Sequence, residues 1–131
     1  MIGLDTNVLV RYVMQDDARQ SARATRLVES LSAEEPGFVP VVAVVELVWV
    51  LAGSYGLSRA QVATVLEMLL RSKELVLDRA DLVAQAQARF AAGGADFADA
   101  LIERIAAQAG CTATMTFDAG AAKTASMTLV R

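Results

Sequence analysis

Histidine is absent from the 131 residues, and cysteine occurs once, at Cys111. The first absence excludes imidazole acid–base catalysis, a Ser-His-Asp triad and imidazole ligation of zinc. The second excludes an internal disulfide and a thiolate metal cage. An enzyme made from this chain must work with carboxylates, hydroxyls, amines or a metal ion. Long apolar runs are missing too. The longest extends from Val39 to Ala52 and has Glu46 in its middle, which is short of the roughly 20 residues of a membrane span. Met1-Ile2-Gly3-Leu4 carries no basic stretch or cleavage site, so the expectation is a cytoplasmic protein.

What is present describes one folded domain over residues 1–131. Apolar residues make up 55% and charged residues 21%, the balance of a chain that buries a core. The apolar share is high for this length. Val48, Trp49 and Leu51 lie on a segment that a small sheet covers only in part, so a homodimer or a protein partner is expected. The net charge of −3 opposes phosphate binding. Its distribution softens that objection. With Asp5, Glu46, Asp96, Asp99 and Asp118 set aside, ten acids face twelve bases.

Strands and helices alternate along the chain, with no linker or repeat. Met1 to Leu4 reads as a buried strand ending at Asp5-Thr6-Asn7, followed by a short helix through Tyr12. Asp16-Asp17 reads as a solvated helix start, and the helix runs to about Leu31 with Arg19, Arg23 and Arg26 on one solvated face. Pro36-Gly37 breaks the chain before a strand at Phe38-Val39, which Pro40 stops. Val41 to Ala52 has the β propensity of its valines but the length of a helix, and Gly53 is its expected end. Ser58-Arg59-Ala60-Gln61 is a capping box opening a helix with Val62, Val65, Leu66, Leu69 and Leu70 on one face. Leu75 to Leu77 is a strand, and Asp81 to Ala92 a helix closed by Gly93-Gly94. Asp96 caps a helix to Ala109, with Gly110 as its stop. A β-rich run from Cys111 to Thr116, a helix over Ala119 to Lys123 and a strand from Met127 to Val130 complete the chain. The fold class is α/β, a three-layer domain with one mostly parallel sheet of about four to five strands. Asp5 and Asp118 each follow a strand, the place where such sheets collect ligands.

Glu46 draws the most attention. Five apolar residues precede it and six follow, so a helix there is apolar on nearly every face. A carboxylate in such surroundings costs several kcal/mol unless a cation meets it. It belongs either to a metal site or to an ion pair with one of the twelve bases, and the site reading is preferred. Asp96 and Asp99 stand three apart at a helix start, so both can face one way. Taken alone, each is an ordinary first-turn acid, and Asp5 and Asp118 are ordinary turn formers. Their convergence on one sheet edge is the argument. Several carboxylates without histidine suit Mg²⁺ or Mn²⁺. Trp49 reads as core or dimer interface, and Cys111 as a small buried hydrophobe. Arg11 and Lys123 lie near these acids in sequence, either solvated or in contact with phosphate.

The four pieces Gly3-Leu4-Asp5-Thr6-Asn7-Val8-Leu9, Val45 to Leu51, Ala95-Asp96-Phe97-Ala98-Asp99-Ala100-Leu101-Ile102 and Thr116-Phe117-Asp118 make the chain resemble a PIN domain. It is most similar to the VapC-type toxins of toxin–antitoxin pairs. The resemblance covers Met1 to about Val130. It implies a ribonuclease whose acidic quartet is Asp5, Glu46, Asp99 and Asp118, with Asp96 as an extra acid and Thr6, Asn7 and Thr116 in support. It also implies an RNA substrate and an antitoxin that blocks the site. One position departs: four residues before Glu46 the family often has Ser or Thr, and here it is Val42. Mg²⁺ or Mn²⁺ held by Asp5 and Asp99 would reverse a field that otherwise repels a phosphodiester. Two other functions compete. Aspartyl-phosphate chemistry fits a strand-terminal Asp followed by Thr, but Asn7 stands where that pattern wants a second Asp. A non-catalytic α/β interaction module would use the acids as caps and ion pairs.

Overall fold

A computed structural model of the chain describes all of its residues, Met1–Arg131. It forms two compact units, Met1–Ala80 and Asp81–Arg131.

The first unit opens with β1 (Ile2–Gly3), α1 (Thr6–Met14), α2 (Ala18–Glu29) and β2 (Gly37–Val39). It continues through α3 (Val41–Trp49), a π-helical turn (Val50–Ser54), α4 (Arg59–Arg71) and β3 (Leu75–Leu77). The three strands pair in parallel in the order β1-β2-β3, with Ile2 opposite Gly37 and Gly37 opposite Leu75. Gly37 is therefore a strand residue and not a break. A Cβ there would sit 2.8 Å from Leu4 Cδ1 and 2.9 Å from Leu31 Cδ1, so the missing side chain lets the leucines close over the strand. Leu9, Val39, Val44, Leu47, Leu51, Val62, Leu66 and Leu69 fill the interior. The capping box at Ser58 forms as the sequence predicts, its hydroxyl accepting from Gln61 N and its own N–H donating to Gln61 Oε1.

The long apolar segment is helical, but Gly53 does not end it. The coil widens into the π turn, and Tyr55 N donates to Val50 O at 3.3 Å. Its burial also departs from expectation. Val44, Leu47, Val48 and Leu51 are buried, whereas Val42, Glu46 and Trp49, one helical stripe at positions i, i+4 and i+7, are exposed. Glu46 is thus not a desolvated carboxylate, because an apolar sequence does not make every face of a helix buried. Of the three residues expected to be left uncovered, only Trp49 is, at 65% exposure; Val48 and Leu51 belong to the core.

The second unit holds α5 from Asp81 onward (the helix spans Ala80–Ala92), α6 (Phe97–Gln108), β4 (Met115–Thr116), α7 (Ala119–Thr124) and β5 (Thr128–Leu129). Phe90 and Phe97 meet edge to face, 6.2 Å between centroids. Met115 pairs with Thr128 and Thr116 with Leu129, again in parallel. The α/β class stands, with every strand pair parallel, but the expected single sheet is two ladders of three and two strands. The β-rich run from Cys111 shrinks to two residues for a local reason. Gly110, at φ +94°, closes α6 in a Schellman motif in which its N–H donates to Ala107 O and the Cys111 N–H to Ala106 O. That motif holds Cys111 in the turn, and its side chain is exposed rather than buried.

Candidate functional site

In the first unit the strand-to-helix junction sets the acids. Asp5 is the N-cap of α1, its Oδ1 accepting from Thr6 N at 2.8 Å. Asp5 thus caps a helix where a plain turn was the alternative, and its Oδ2 is left without a partner. Thr6 is buried, and its hydroxyl donates to Glu46 Oε1 at 2.5 Å. One hydrogen bond therefore ties the start of α1 to the middle of α3. Glu46 makes no ion pair, so the alternative in which a base neutralises it is not realised. Asn7 is exposed beside them. A cavity of about 490 Å³ opens here, lined by Thr6, Asn7, Arg11, Glu46, Ser54 and Tyr55 among others. The π turn brings Val50 and Ser54 to its wall. Val42, in place of the family's hydroxyl, is exposed on the stripe with Glu46.

In the second unit α6 and α7 present their N-terminal ends as carboxylates. Asp96 caps α6, its Oδ2 accepting from Asp99 N at 3.3 Å. Asp99 sits in the first turn, half-buried, and its carboxylate accepts no hydrogen bond. Burial, then the negative charges of Asp96 and Asp118, raise its pKa above the ordinary aspartate value. Asp118 caps α7 through Oδ1, which takes the N–H groups of Gly120 at 2.7 Å and Ala121 at 3.3 Å. Its own N–H donates to Thr116 Oγ1 at 3.0 Å, so Thr116 supports it as a turn partner. Lys123 is exposed in the last turn of α7.

Within neither unit do three carboxylates converge into a finished ligand cage. The donors nevertheless fit a hard divalent cation. They are carboxylate oxygens, Asp99 has both of its oxygens free, and the field there disfavours its charge until a cation offsets it. In the second unit Asp96 and Asp99 are the residues that would hold such an ion, and in the first unit Asp5 offers its free Oδ2.

The PIN domain profile matches residues 2–127. The chain belongs to the PIN domain family. This PIN domain accordingly has a nuclease-type fold, one whose members are generally dependent on divalent metal. Comparison with curated proteins gave no match. No helix is long and apolar enough to cross a membrane.

Two polar clusters of the PIN domain escaped the sequence reading. Glu103 is buried on α6 and accepts from Arg104 Nη2 at 2.7 Å, with Arg89 Nη1 at 3.5 Å. The hydrogen bonds from Arg104, against burial, hold its carboxyl below the usual range. Its signal was present: Glu103 lies four residues past Asp99, between Ile102 and Ile105, an acid on a mostly apolar helix. The second cluster is Arg11, Asp16, Gln20 and Tyr55. Asp16 is not merely solvated. It accepts the Tyr55 hydroxyl at 2.5 Å and Arg11 Nη1 at 3.1 Å, and the Tyr55 bond leads in holding its carboxyl low.

Proposed function

We propose that this PIN domain is a Mg²⁺- or Mn²⁺-dependent endoribonuclease that hydrolyses RNA phosphodiester bonds as the toxin of a toxin–antitoxin pair. The observation that carries the reading is Asp99, a partly desolvated carboxylate without a hydrogen-bond donor, under the charges of Asp96 and Asp118. Such an arrangement opposes folding and is retained where a cation is to be bound.

The catalytic residues assigned are Asp5, Glu46, Asp99 and Asp118. Asp5 and Asp99 hold the ion, with Asp96 as a further donor. When bound, the ion supplies Lewis acidity that offsets the phosphodiester's charge. Glu46 acts as general base. Its Oε1 is fixed by the Thr6 hydroxyl, which leaves Oε2 to take the proton of the attacking water. Asp118 is oriented by Thr116 Oγ1 and by the two N–H groups at the start of α7, so its Oδ2 is presented in one direction. Asn7, exposed beside Thr6, offers an amide to the substrate backbone.

The partners proposed are an RNA substrate, a cognate antitoxin protein and a second copy of the chain, in the cytoplasm. Trp49 and Val42, at 65% and 74% exposure, support a protein contact on α3. Incubation of the purified chain with mixed RNAs in Mn²⁺, then in EDTA, tests the activity. Cleavage that EDTA abolishes and that Asp99→Asn lacks is the expected result. Cleavage indifferent to both would overturn it. Light scattering at micromolar concentration tests the dimer, and a clean monomer would remove it.

A further inference from the structure

The cavity at Glu46 adjoins a second one. This other cavity, of about 310 Å³, lies between α1 and α2 and is lined by Asn7, Val8, Arg11, Gln20, Arg23 and Leu27 among others. Asn7 and Arg11 line both. Arg11 is held on one edge: Nε donates to Gln20 Oε1 at 2.7 Å, and Nη1 to both Asp16 oxygens at 3.1 Å and to the Tyr55 hydroxyl at 3.2 Å. Its Nη2 donors remain unengaged, on a guanidinium that has already lost its rotamer freedom.

Arg23 begins the second observation. Arg19, Arg23 and Arg26 share one exposed face of α2, at positions i, i+4 and i+7. None of the three has an acidic partner, whereas Arg11, Arg71, Arg89 and Arg104 are each paired with a carboxylate. Lys73, Arg79, Lys123 and Arg131 lack an ion pair as well, and what sets these three apart is their alignment on one exposed helix face. Helix rise separates Arg19 from Arg23 by about 6 Å and Arg23 from Arg26 by about 4.5 Å, the scale of one nucleotide step of an extended strand.

We propose that the Arg19–Arg23–Arg26 face of α2, continued by Arg11, is a track for the phosphates of single-stranded RNA leading to Glu46. The proposal rests on the nuclease reading and adds where the substrate lies. A polyanion with a charge at every nucleotide matches a periodic row of free guanidiniums. The row ends at a fixed arginine on the rim of the Glu46 cavity, so a strand laid along it is delivered to that carboxylate. Arginine suits this use, since its planar fork takes two phosphate oxygens at once.

The test uses fluorescein-labelled single-stranded RNA of mixed sequence, with binding followed by anisotropy in EDTA across a range of salt. Arg19→Gln/Arg23→Gln removes two track cations and keeps helix propensity. Lys73→Gln/Arg79→Gln removes the same charge from exposed positions off the track. With about 0.7 counterions released per single-strand phosphate contact, the track variant should flatten the log–log salt slope by about 1.4. The control pair should leave the slope at the parent value. Equal flattening by both pairs would mean a diffuse field and overturn the track. A parent that cleaves RNA in Mn²⁺ while the track variant keeps its slope would overturn the track alone and assign the face to an acidic protein segment. A parent that neither binds nor cleaves RNA would overturn both the track and the nuclease reading.

Discussion

The hydrogen bond from Thr6 to Glu46 gives the sharpest test, through Thr6→Val and Glu46→Gln made singly and together. Thr6→Val keeps the buried shape and removes the donor that meets Glu46 Oε1 at 2.5 Å. A hydrogen bond to a charged group contributes about 1.5–3 kcal/mol. Glu46 is exposed, so water replaces much of what the hydroxyl gave, and the expected cost of Thr6→Val falls to about 1 kcal/mol. Glu46→Gln keeps an acceptor for the hydroxyl and strands no cation, because no base pairs with Glu46. Its cost should therefore stay under about 1 kcal/mol, far below the 3–5 kcal/mol of a broken buried ion pair. Urea denaturation in EDTA of all four proteins, with unchanged m, yields only the difference between a charged and a neutral acceptor, a coupling energy of about 0.5 kcal/mol. Cleavage in Mn²⁺ supplies the second axis. Glu46→Gln should lose about two orders of magnitude as the general base, and Thr6→Val less, as the group that orients it. A Thr6→Val variant as stable as the parent, or a Glu46→Gln variant destabilised by several kcal/mol, would overturn this account of the pair.

Asp99→Asn should stabilise the metal-free protein at neutral pH by less than about 1 kcal/mol, the scale of a surface charge pair, since it removes a charge that burial, then Asp96 and Asp118, oppose. The sign follows from the raised pKa: folded Asp99 binds its proton more tightly than unfolded, so its contribution is fully present below the unfolded value and is lost as pH rises through the folded value. The gain should vanish below the aspartate range in thermal melts, and a loss at neutral pH would contradict it. Saturating Mn²⁺ should raise the melting temperature of the parent over EDTA by mass action, and Asp99→Asn should abolish most of that rise. Glu103→Gln should cost about 2 kcal/mol, below the 3–5 kcal/mol of a fully buried pair, because Arg89 and Arg104 are each about one-third exposed and recover water. Glu103 has a lowered pKa, so its contribution is present above the unfolded glutamate range and is lost as pH falls through the folded value. A denaturation midpoint unchanged at neutral pH would show that the pair contributes nothing.

Sequence alone determined the local events, because these depend on near neighbours. Asp17, Ser58, Asp96 and Asp118 cap the helices that follow them, and Gly93, Gly94 and Gly110 take the left-handed conformation at helix ends. Leu75 to Leu77 is a strand to the residue. The family was also legible, and the PIN domain profile matches residues 2–127. Tertiary structure alone decided which side of each element is covered. The valines around Glu46 do not tell which stripe of α3 packs, so a desolvated carboxylate was inferred where an exposed one stands. Pairing was equally out of reach. Thr6 meets Glu46 across 40 residues, Asp16 meets Tyr55 across 39, and Arg89 meets Glu103 on another helix. Periodicity says that a side chain needs a partner, and only the packing of helices on strands says which partner is within 3 Å.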